Sequence, residues 1–581
     1  MNREGTLASY IPELAAVDPD QFGVAFATTD GYVYEVGDVE ASFTIQSISK
    51  AITYGLALQD RGSVEVLRRI GVEPSGDAFN SISFDERNNR PFNPMVNAGA
   101  IAAAAMIRGS GLEERFARVK EIFRKFTGRP LELDEDVYRS EALTGNRNRA
   151  IAYLELNAGM ISGNVDEHLD LYFRQCSLLV TTRDLAMIGA TLANGGVNPM
   201  TNERALEPEY VRSVLSVMSS CGMYDYAGGW QFNIGLPAKS GVGGGITAVL
   251  PGHLGIGVFS PRLDAVGNSV RGVKVCEDVS SYFKLHLFED RGGGRVPFRR
   301  TFRGNEIRSK RIRRLEEAQR LDTLGHLIAV YELQGELSFV ETERVTRRIV
   351  EDRDSAAHFI VDLTRVMQMD GIGLDLLNTA RRALEAAGKT FAIVAHSPRV
   401  SDGFQQDVHF GHVDFALEYF EDLLLRESGA ATDTETVALA AFGVLASMRP
   451  DSVERLAGQL VPRRFGVGEK LIAQGSAAAE LYFLVKGRVD VTVPLPNGKS
   501  YRVGSVDAGN VFGELALFGR SPRTADVIAA TDVEVLIMDA ESMVEMRVEH
   551  AAAYTELLVA VGQSLSDRLR RANAEIGALS K

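Results

Sequence analysis

At 581 residues the chain is about twice the length that one hydrophobic core can organise, so two to four domains are expected. Its 45% hydrophobic and 24% charged content is that of an ordinary soluble globular protein, and a net charge of −14 argues against nucleic acid as the main partner. The opening "MNREGTLASYIPELAAVDPD" has no basic cap before an unbroken apolar segment, and no later run reaches the ~20 apolar residues of a membrane span. A cytoplasmic protein with no membrane partner is therefore expected.

The first 290 residues mix short apolar runs, "QFGVAFATT" and "HLGIGVFS", with Ala-rich helical stretches such as "NPMVNAGAIAAAAMI". Within them Ser47 and Lys50 stand three positions apart at the head of "FTIQSISKAITYGLAL". Positions three apart share a helix face, so the hydroxyl and the ammonium can meet. Lysine becomes a base only when neutral, and lowering its pKa from ~10.4 to ~7 costs roughly 4.6 kcal/mol, which demands burial or cationic neighbours. The spacing alone is weak, because "SYFK", Ser281 to Lys284, repeats it on what reads as a surface helix. Downstream, "PAKSGVGGG", 237–245, offers a lysine, a hydroxyl and glycines on an edge strand, similar to the K-T-G element of the penicillin-recognising serine enzymes.

Asp290 to Asp322 is crowded with Gly, Arg and Lys and reads as a basic linker, 291–317, docked on an acidic neighbour or binding an anionic surface. From 318 to 425, strand-like "HLIAVYELQGEL", "AAHFIVDLTRV" and "TFAIVAHS" alternate with helical segments, the pattern of a small α/β layer domain. A second break falls at "LLRESGAATDTETVA", 424–438. The remainder, 438–581, has Gly-punctuated short strands followed by the helical "AAAYTELLVAVGQSLSDRLRRANAEIGAL", which reads as a β-roll and a terminal helix. The three cysteines form no CxxC pair and the nine histidines no HExxH motif. His409 and His412 in "HFGHVD" could share a helix face, for which a surface pair is the better reading, so no metal site is expected.

Across 1–290 the motifs "YIPELA", "QSISK", "EPSGDAFNSI", "NPMVNAGAI", "SEALTGNRNRAIAYL", "LDLYFRQCS", "LANGGVNPMT", "SSCGMYDYAG" and "GLPAKSGVGGGI" occur in the order of the serine-dependent glutaminase family, which this segment closely resembles. The resemblance implies an α+β domain of the beta-lactamase/transpeptidase kind that hydrolyses L-glutamine to L-glutamate and ammonia. It implies Ser47 as nucleophile, Lys50 as its base and Tyr224 as a second proton-handling group, with the Val242 and Ser47 amides as oxyanion hole. Tyr10, Asn97, Glu141, Asn148 and Tyr172 are implied as the substrate pocket. The assignments suit the substrate: an ammonium wants a carboxylate, Glu141, and a carboxylate wants Asn and Tyr donors. No catalytic cofactor is implied, and a homo-oligomer, dimer or tetramer, is. Singly these residues have duller roles: Asn97 a turn residue, Asn148 a helix cap, Glu141 an acid in a first helical turn, Tyr224 a core aromatic. Cys221 is better read as a buried thiol than as a nucleophile.

"VFGELALFGRSPRTADVIAA" resembles the phosphate-binding cassette of cyclic-nucleotide-binding domains. That resemblance implies Arg523 for the cyclic phosphate, Glu514 for the ribose hydroxyl, Gly513 for close backbone approach and Thr524 as a hydroxyl compatible with cyclic GMP or cyclic AMP. "FIVDLTRVMQMDGIGLDLL" resembles a STAS domain, but Asp370 is followed by Gly371, where signalling members carry a phosphorylatable serine. An interaction role is expected there. Two other readings compete: a penicillin-interacting serine hydrolase, which would require export, and a signalling scaffold with an inactive enzyme domain. A transcription regulator would need a helix-turn-helix after the terminal helix, for which the chain leaves too few residues.

Overall fold

The apolar runs Gly23–Thr28 and Leu254–Phe259 lie side by side in the computed structural model, inside a five-stranded antiparallel sheet. Its order is Val33–Gly37, Gly23–Thr28, Leu254–Phe259, Gly245–Leu250, Ala238–Ser240. The structure describes residues 3–76, 80–85, 87–289, 297–395, 404, 408–429, 436–476, 480–495, 500–514 and 522–579. It divides into two units, Met1–Asp290 and Arg291–Lys581.

In the first unit, glycines decide how closely helix and sheet approach. A Cβ on Gly255 would fall 2.1 Å from the Ala190 amide nitrogen, and one on Gly257 would fall 2.3 Å from the Thr182 carbonyl oxygen. The Thr182–Ala193 helix therefore lies against these strands only because they carry no side chain there. The Ser49–Arg61 helix is buried at eleven of its thirteen positions. A helix enclosed on every face is a central element, packed all round by its neighbours. Lys50, in its first turn, is thereby removed from solvent.

The second unit opens on a five-stranded sheet in the order Val408–Phe410, Thr390–Val394, His358–Met369, Ile328–Leu337, Phe298–Arg303. The first four run parallel and the last is antiparallel to its neighbour. The expected βα alternation is present: Phe339–Glu351 and Gly371–Ala386 follow their strands, and Val413–Glu427 packs its apolar face on Ile360, Ala392 and Val394. Asp370 caps the Gly371–Ala386 helix by accepting the Gly373 amide at 2.6 Å. The β-roll follows as two further sheets, with the Ala551–Leu579 helix packed on it through Ala553, Leu557, Ala560 and Val561.

Two expectations need correction. The stretch read as a basic linker is structured: Phe298–Arg303 is the edge strand of the α/β sheet, and Arg311–Ile312 pairs in parallel with Ser500–Asp507 of the roll. His409 and His412 do not share a helix face, since His409 lies on a strand and His412 is the N-cap of Val413–Glu427. Among the described residues no cluster of His, Cys, Asp or Glu could hold a metal ion, and no helix is long and apolar enough to cross a membrane.

The arginines of the supposed linker are docked on acids. Asp414, Glu418, Glu421 and Asp422 recur along one helix at near-helical spacing. Arg311, almost wholly buried, reaches Asp422 at 2.9 Å and Asp507 of the roll at 2.6 Å. Arg313 reaches Glu421 at 3.0 Å and Asp422 at 2.6 Å, and Arg502 of the roll pairs with Glu418. Removing one partner from such a cluster leaves buried charge uncompensated, which costs about 3–5 kcal/mol. Arg311→Met is accordingly expected to lower the stability of the second unit by about that amount, read as a fall in its denaturation midpoint. An unchanged midpoint would show that the network contributes nothing net.

Candidate active site

Ser47 sits in a single turn, Gln46–Ile48, that leads into the central helix. Gln46 holds φ 50° and Tyr224 φ 52°, left-handed conformations for residues with side chains, each costing of order 1–3 kcal/mol. Packing enforces both. Gly222 presses against the Ala238–Ser240 strand so closely that a Cβ would lie 1.7 Å from the Ala238 carbonyl oxygen. The Tyr224 hydroxyl donates to the Ser240 carbonyl at 3.1 Å and also engages the Ser47 side chain. On the other side, the turn at 241–244 lies against 44–45: a Cβ on Gly243 would come 2.9 Å from the Thr44 carbonyl oxygen. That contact sets Val242 beside Ser47, and both line the same cavity.

Lys50 is fully buried, and desolvation pushes its ammonium down to about 8, against the opposing pull of Cys176 and Glu141. Its Nζ donates to Asn97 Oδ1 at 2.7 Å, and Asn97 Nδ2 donates to Asn148 Oδ1 at 2.8 Å. Asn97, expected only as a pocket residue, thus also holds the lysine. A neutral acceptor adds no charge to stabilise the ammonium, so burial retains its effect.

The cavity measures about 510 Å³ and brings together Tyr10, Ser47, Asn97, Glu141, Asn148, Tyr172 and Val242. Glu141 projects from the Glu135–Thr144 helix, beyond its first turn, and accepts the Tyr10 hydroxyl at 2.7 Å. The Tyr10 ring is half exposed at the mouth while its hydroxyl is enclosed. Burial raises the Glu141 carboxyl above the ordinary range, against the lowering effect of Tyr10, Gln46 and Lys50. Burial likewise raises Tyr10, Tyr172 and Tyr224, so all three phenols are protonated donors at neutral pH.

Three residues of the site carried no role in the sequence reading. Gln46 accepts from Tyr10 at 3.3 Å and donates to Thr44 at 3.2 Å, locking the wall next to Glu141. Cys176 lines the cavity with its thiol 3.7 Å from Ser49 Oγ, and burial pushes it up to about 11. Lys239 is fully buried, with Nζ 4.3 Å from the Tyr224 ring centroid and donating to the Ser240 carbonyl at 2.7 Å. Desolvation first, and the Lys50 charge second, drive it well below the usual lysine value. Its only sequence signal was the lysine of "PAKSGVGGG".

In the roll, Gly513 holds φ 83°, and Glu514 and Arg523 are both buried, while Thr524 is exposed. Arg523 donates to the Gly513 and Glu480 carbonyls at 2.9 and 2.8 Å, and its Nε is buried with no hydrogen-bond partner among the described residues. Residues 515–521, the middle of the expected phosphate cassette, lie outside the described residues.

Comparison with known proteins agrees with this division. The family model for glutaminase matches residues 5–288, that for the STAS domain 320–415, and that for the cyclic nucleotide-binding domain 462–550. Glutaminase 2 of Bradyrhizobium diazoefficiens is 43% identical over 99% of this chain and 93% of its own length. The glutaminase of Microcystis aeruginosa is 58% identical over 49% of this chain and 84% of its own. Among solved structures, Mglu in its native form in 4.3M NaCl is 36% identical, aligns over 69% of this chain and 96% of its own, and has a TM-score of 0.50. The chain belongs to the glutaminase family and carries a STAS domain and a cyclic nucleotide-binding domain after its glutaminase domain.

Proposed function

We propose that the protein hydrolyses L-glutamine to L-glutamate and ammonia through a seryl acyl-enzyme in the cytoplasm, as a homo-oligomer whose activity a cyclic nucleotide modulates. One observation carries the chemical part: a lysine without solvent contact, with its pKa lowered to about 8, lies one helical turn from a serine at the floor of a cavity whose wall holds a buried carboxylate.

In this mechanism Glu141, held by the Tyr10 hydroxyl, takes the substrate ammonium, while Asn148 and Tyr172 offer donors to its carboxylate. The side-chain amide then lies over Ser47. Lys50 accepts the hydroxyl proton as Ser47 Oγ attacks the carbonyl carbon, and the Ser47 and Val242 amides receive the oxyanion, a contribution of about 3–4 kcal/mol per donor. Tyr224, in contact with Ser47, passes a proton to the departing nitrogen. Ammonia leaves, and water resolves the glutamyl ester by the same path in reverse. A neutral Lys239 near Lys50 and Tyr224 would avoid placing a second full charge beside the base.

The base works only when neutral, and Lys50 is neutral above its depressed pKa. Activity is therefore expected to rise with pH through about 8 and to be lost as pH falls below it. Ammonia release from L-glutamine followed between pH 6 and 10 checks this, and a rate falling through that window would remove Lys50 as the base. Substrate length follows from the same geometry. Asparagine, one methylene shorter, cannot reach Glu141 and Ser47 together, so its kcat/KM should fall by more than the roughly 10–200-fold of a lost methylene contact. Comparable values for the two amides would contradict the clamp.

For the roll, Gly513, Glu514, Arg523 and Thr524 are the proposed cyclic-nucleotide contacts. Calorimetry with cyclic AMP and cyclic GMP, alongside ammonia release with and without each, tests binding and modulation separately. The STAS domain is proposed as an interaction module, because the glycine after Asp370 offers no phosphate acceptor.

A further inference from the structure

A second cavity, of about 340 Å³, is bordered by the Ser49–Arg61 and Pro208–Cys221 helices and shares no lining residue with the cavity that holds Ser47. Leu58, Val72 and Val217 give it apolar walls. Tyr54, one helical turn beyond Lys50, also lines it. Only 1% of Tyr54 is exposed, and among the described residues its hydroxyl has no hydrogen-bond partner. Burial alone pushes this phenol up to about 12, so at neutral pH it is a donor. A polar group taken out of water and left unbonded is costly, and enclosed hydroxyls are bonded as a rule. One that opens on a cavity therefore indicates what the cavity takes, an acceptor.

The cavity's charge comes from Arg212, which is exposed and forms no ion pair among the described residues. The neighbouring Ser213 and Ser216 hydroxyls donate to the Glu209 and Arg212 carbonyls of their own helix, at 3.2 and 2.8 Å. Their protons are thus already placed. We propose that this cavity binds a small carboxylate with an apolar body and an acceptor at its far end: the carboxylate meets Arg212, the body lies along Leu58, Val72 and Val217, and the acceptor takes the Tyr54 hydroxyl. Apolar walls with a few placed polar groups, in a volume of this order, are what small-molecule sites consist of. A guanidinium adds a charge-assisted bond that a cationic or wholly apolar ligand cannot use. The site is separate from the chemistry at Ser47 and holds whatever the substrate there.

The probe is 4-hydroxyphenylacetate, titrated by calorimetry into the full-length wild type, Tyr54→Phe and Arg212→Gln. Two further ligands isolate its ends: 4-methylphenylacetate lacks the acceptor, and 4-hydroxyphenethylamine carries an ammonium in place of the carboxylate. Wild type should bind the probe with a Kd of about 1 mM or tighter. Tyr54→Phe should weaken it about fivefold and Arg212→Gln about tenfold. 4-Methylphenylacetate should bind wild type and Tyr54→Phe alike, and the amine neither. The probe should leave the KM for glutamine unchanged, because the two cavities have no wall in common. The melting midpoint of Tyr54→Phe should not fall, since the hydroxyl it loses bonds nothing in the protein. Absence of binding by wild type, equal binding by all three proteins, competition with glutamine, or a lowered Tyr54→Phe midpoint each overturns the proposal.

Discussion

Ser47→Ala is expected to lower kcat for glutamine hydrolysis by roughly 10⁴- to 10⁶-fold while leaving the fold intact. The magnitude follows from what the substitution removes. Without Oγ no ester forms, and the remaining catalysis is what the oxyanion donors and substrate positioning give to direct attack by water. The fold survives because Ser47 contributes one small hydroxyl, whereas the turn around it is fixed by the strained Gln46 backbone and by packing of the Ser49–Arg61 helix. Lys50→Ala should be nearly as damaging, since nucleophile and base act as a unit and their effects do not add. Substituting both should then cost little more than substituting either. Lys50→Ala also removes a buried side chain, so its folding is checked separately by thermal melting.

The control is built into the chain. Ser281 and Lys284 have the same spacing, yet both are exposed, at the end of the Val270–Phe283 helix, and Lys284 is its left-handed C-cap at φ 53°. Neither lines the cavity that holds Ser47. Alanine at either position should leave ammonia release within about twofold of wild type, since surface substitutions change little. Loss of turnover in this pair, with Ser47→Ala active, would place the chemistry elsewhere.

The contrast between these two pairs explains what the sequence could tell. Ser47 and Lys50 are local, and the ordered motifs around them marked the site, so Tyr10, Asn97, Glu141, Asn148, Tyr172 and Val242 could be named before any coordinates. Their meeting in one cavity depends on elements far apart in the chain. Gln46 and Cys176 were missed because their roles come from tertiary contacts, such as a thiol 127 positions from Ser49, while Lys239 was marked only by its likeness to a K-T-G element, and its packing on Tyr224 shows only in the fold. The Phe298–Arg303 strand was missed for a different reason. An edge strand needs only one paired side, and "FRRTFR" carries the charges that keep such edges from aggregating, which hides the alternation that marks a strand. The arginines after it looked like a solvated hinge because their partners, Glu421, Asp422 and Asp507, lie about 110 to 200 residues downstream.

Glu141→Gln is the second large expected effect, a fall in kcat/KM of roughly 10²- to 10³-fold. The substitution keeps the shape of the side chain and an acceptor for the Tyr10 hydroxyl, so the cavity wall should stand. In the proposed mechanism it removes the negative charge that faces the substrate ammonium. An ammonium taken from water into a cavity without its counter-charge loses about 3–4 kcal/mol, the order found when one partner of a buried pair is deleted. Much of this should appear in KM. A further part should appear in kcat, because the clamp also sets where the side-chain carbonyl lies over Ser47, and a misplacement of about 1 Å can cost ~10²-fold. The discriminating substrate is the glutamine analogue without its α-amino group. Wild type should strongly prefer glutamine over it, whereas Glu141→Gln should treat the two nearly alike. The pH dependence sharpens the test. Burial raises the Glu141 carboxyl, so the charged form that binds ammonium is lost at a higher pH than an ordinary glutamate would lose it. As pH falls, wild-type KM for glutamine should climb from above the usual carboxylate range, and in Glu141→Gln that climb should be absent. Unchanged glutamine preference in Glu141→Gln, together with a KM still rising in acid, would place the ammonium against some other group.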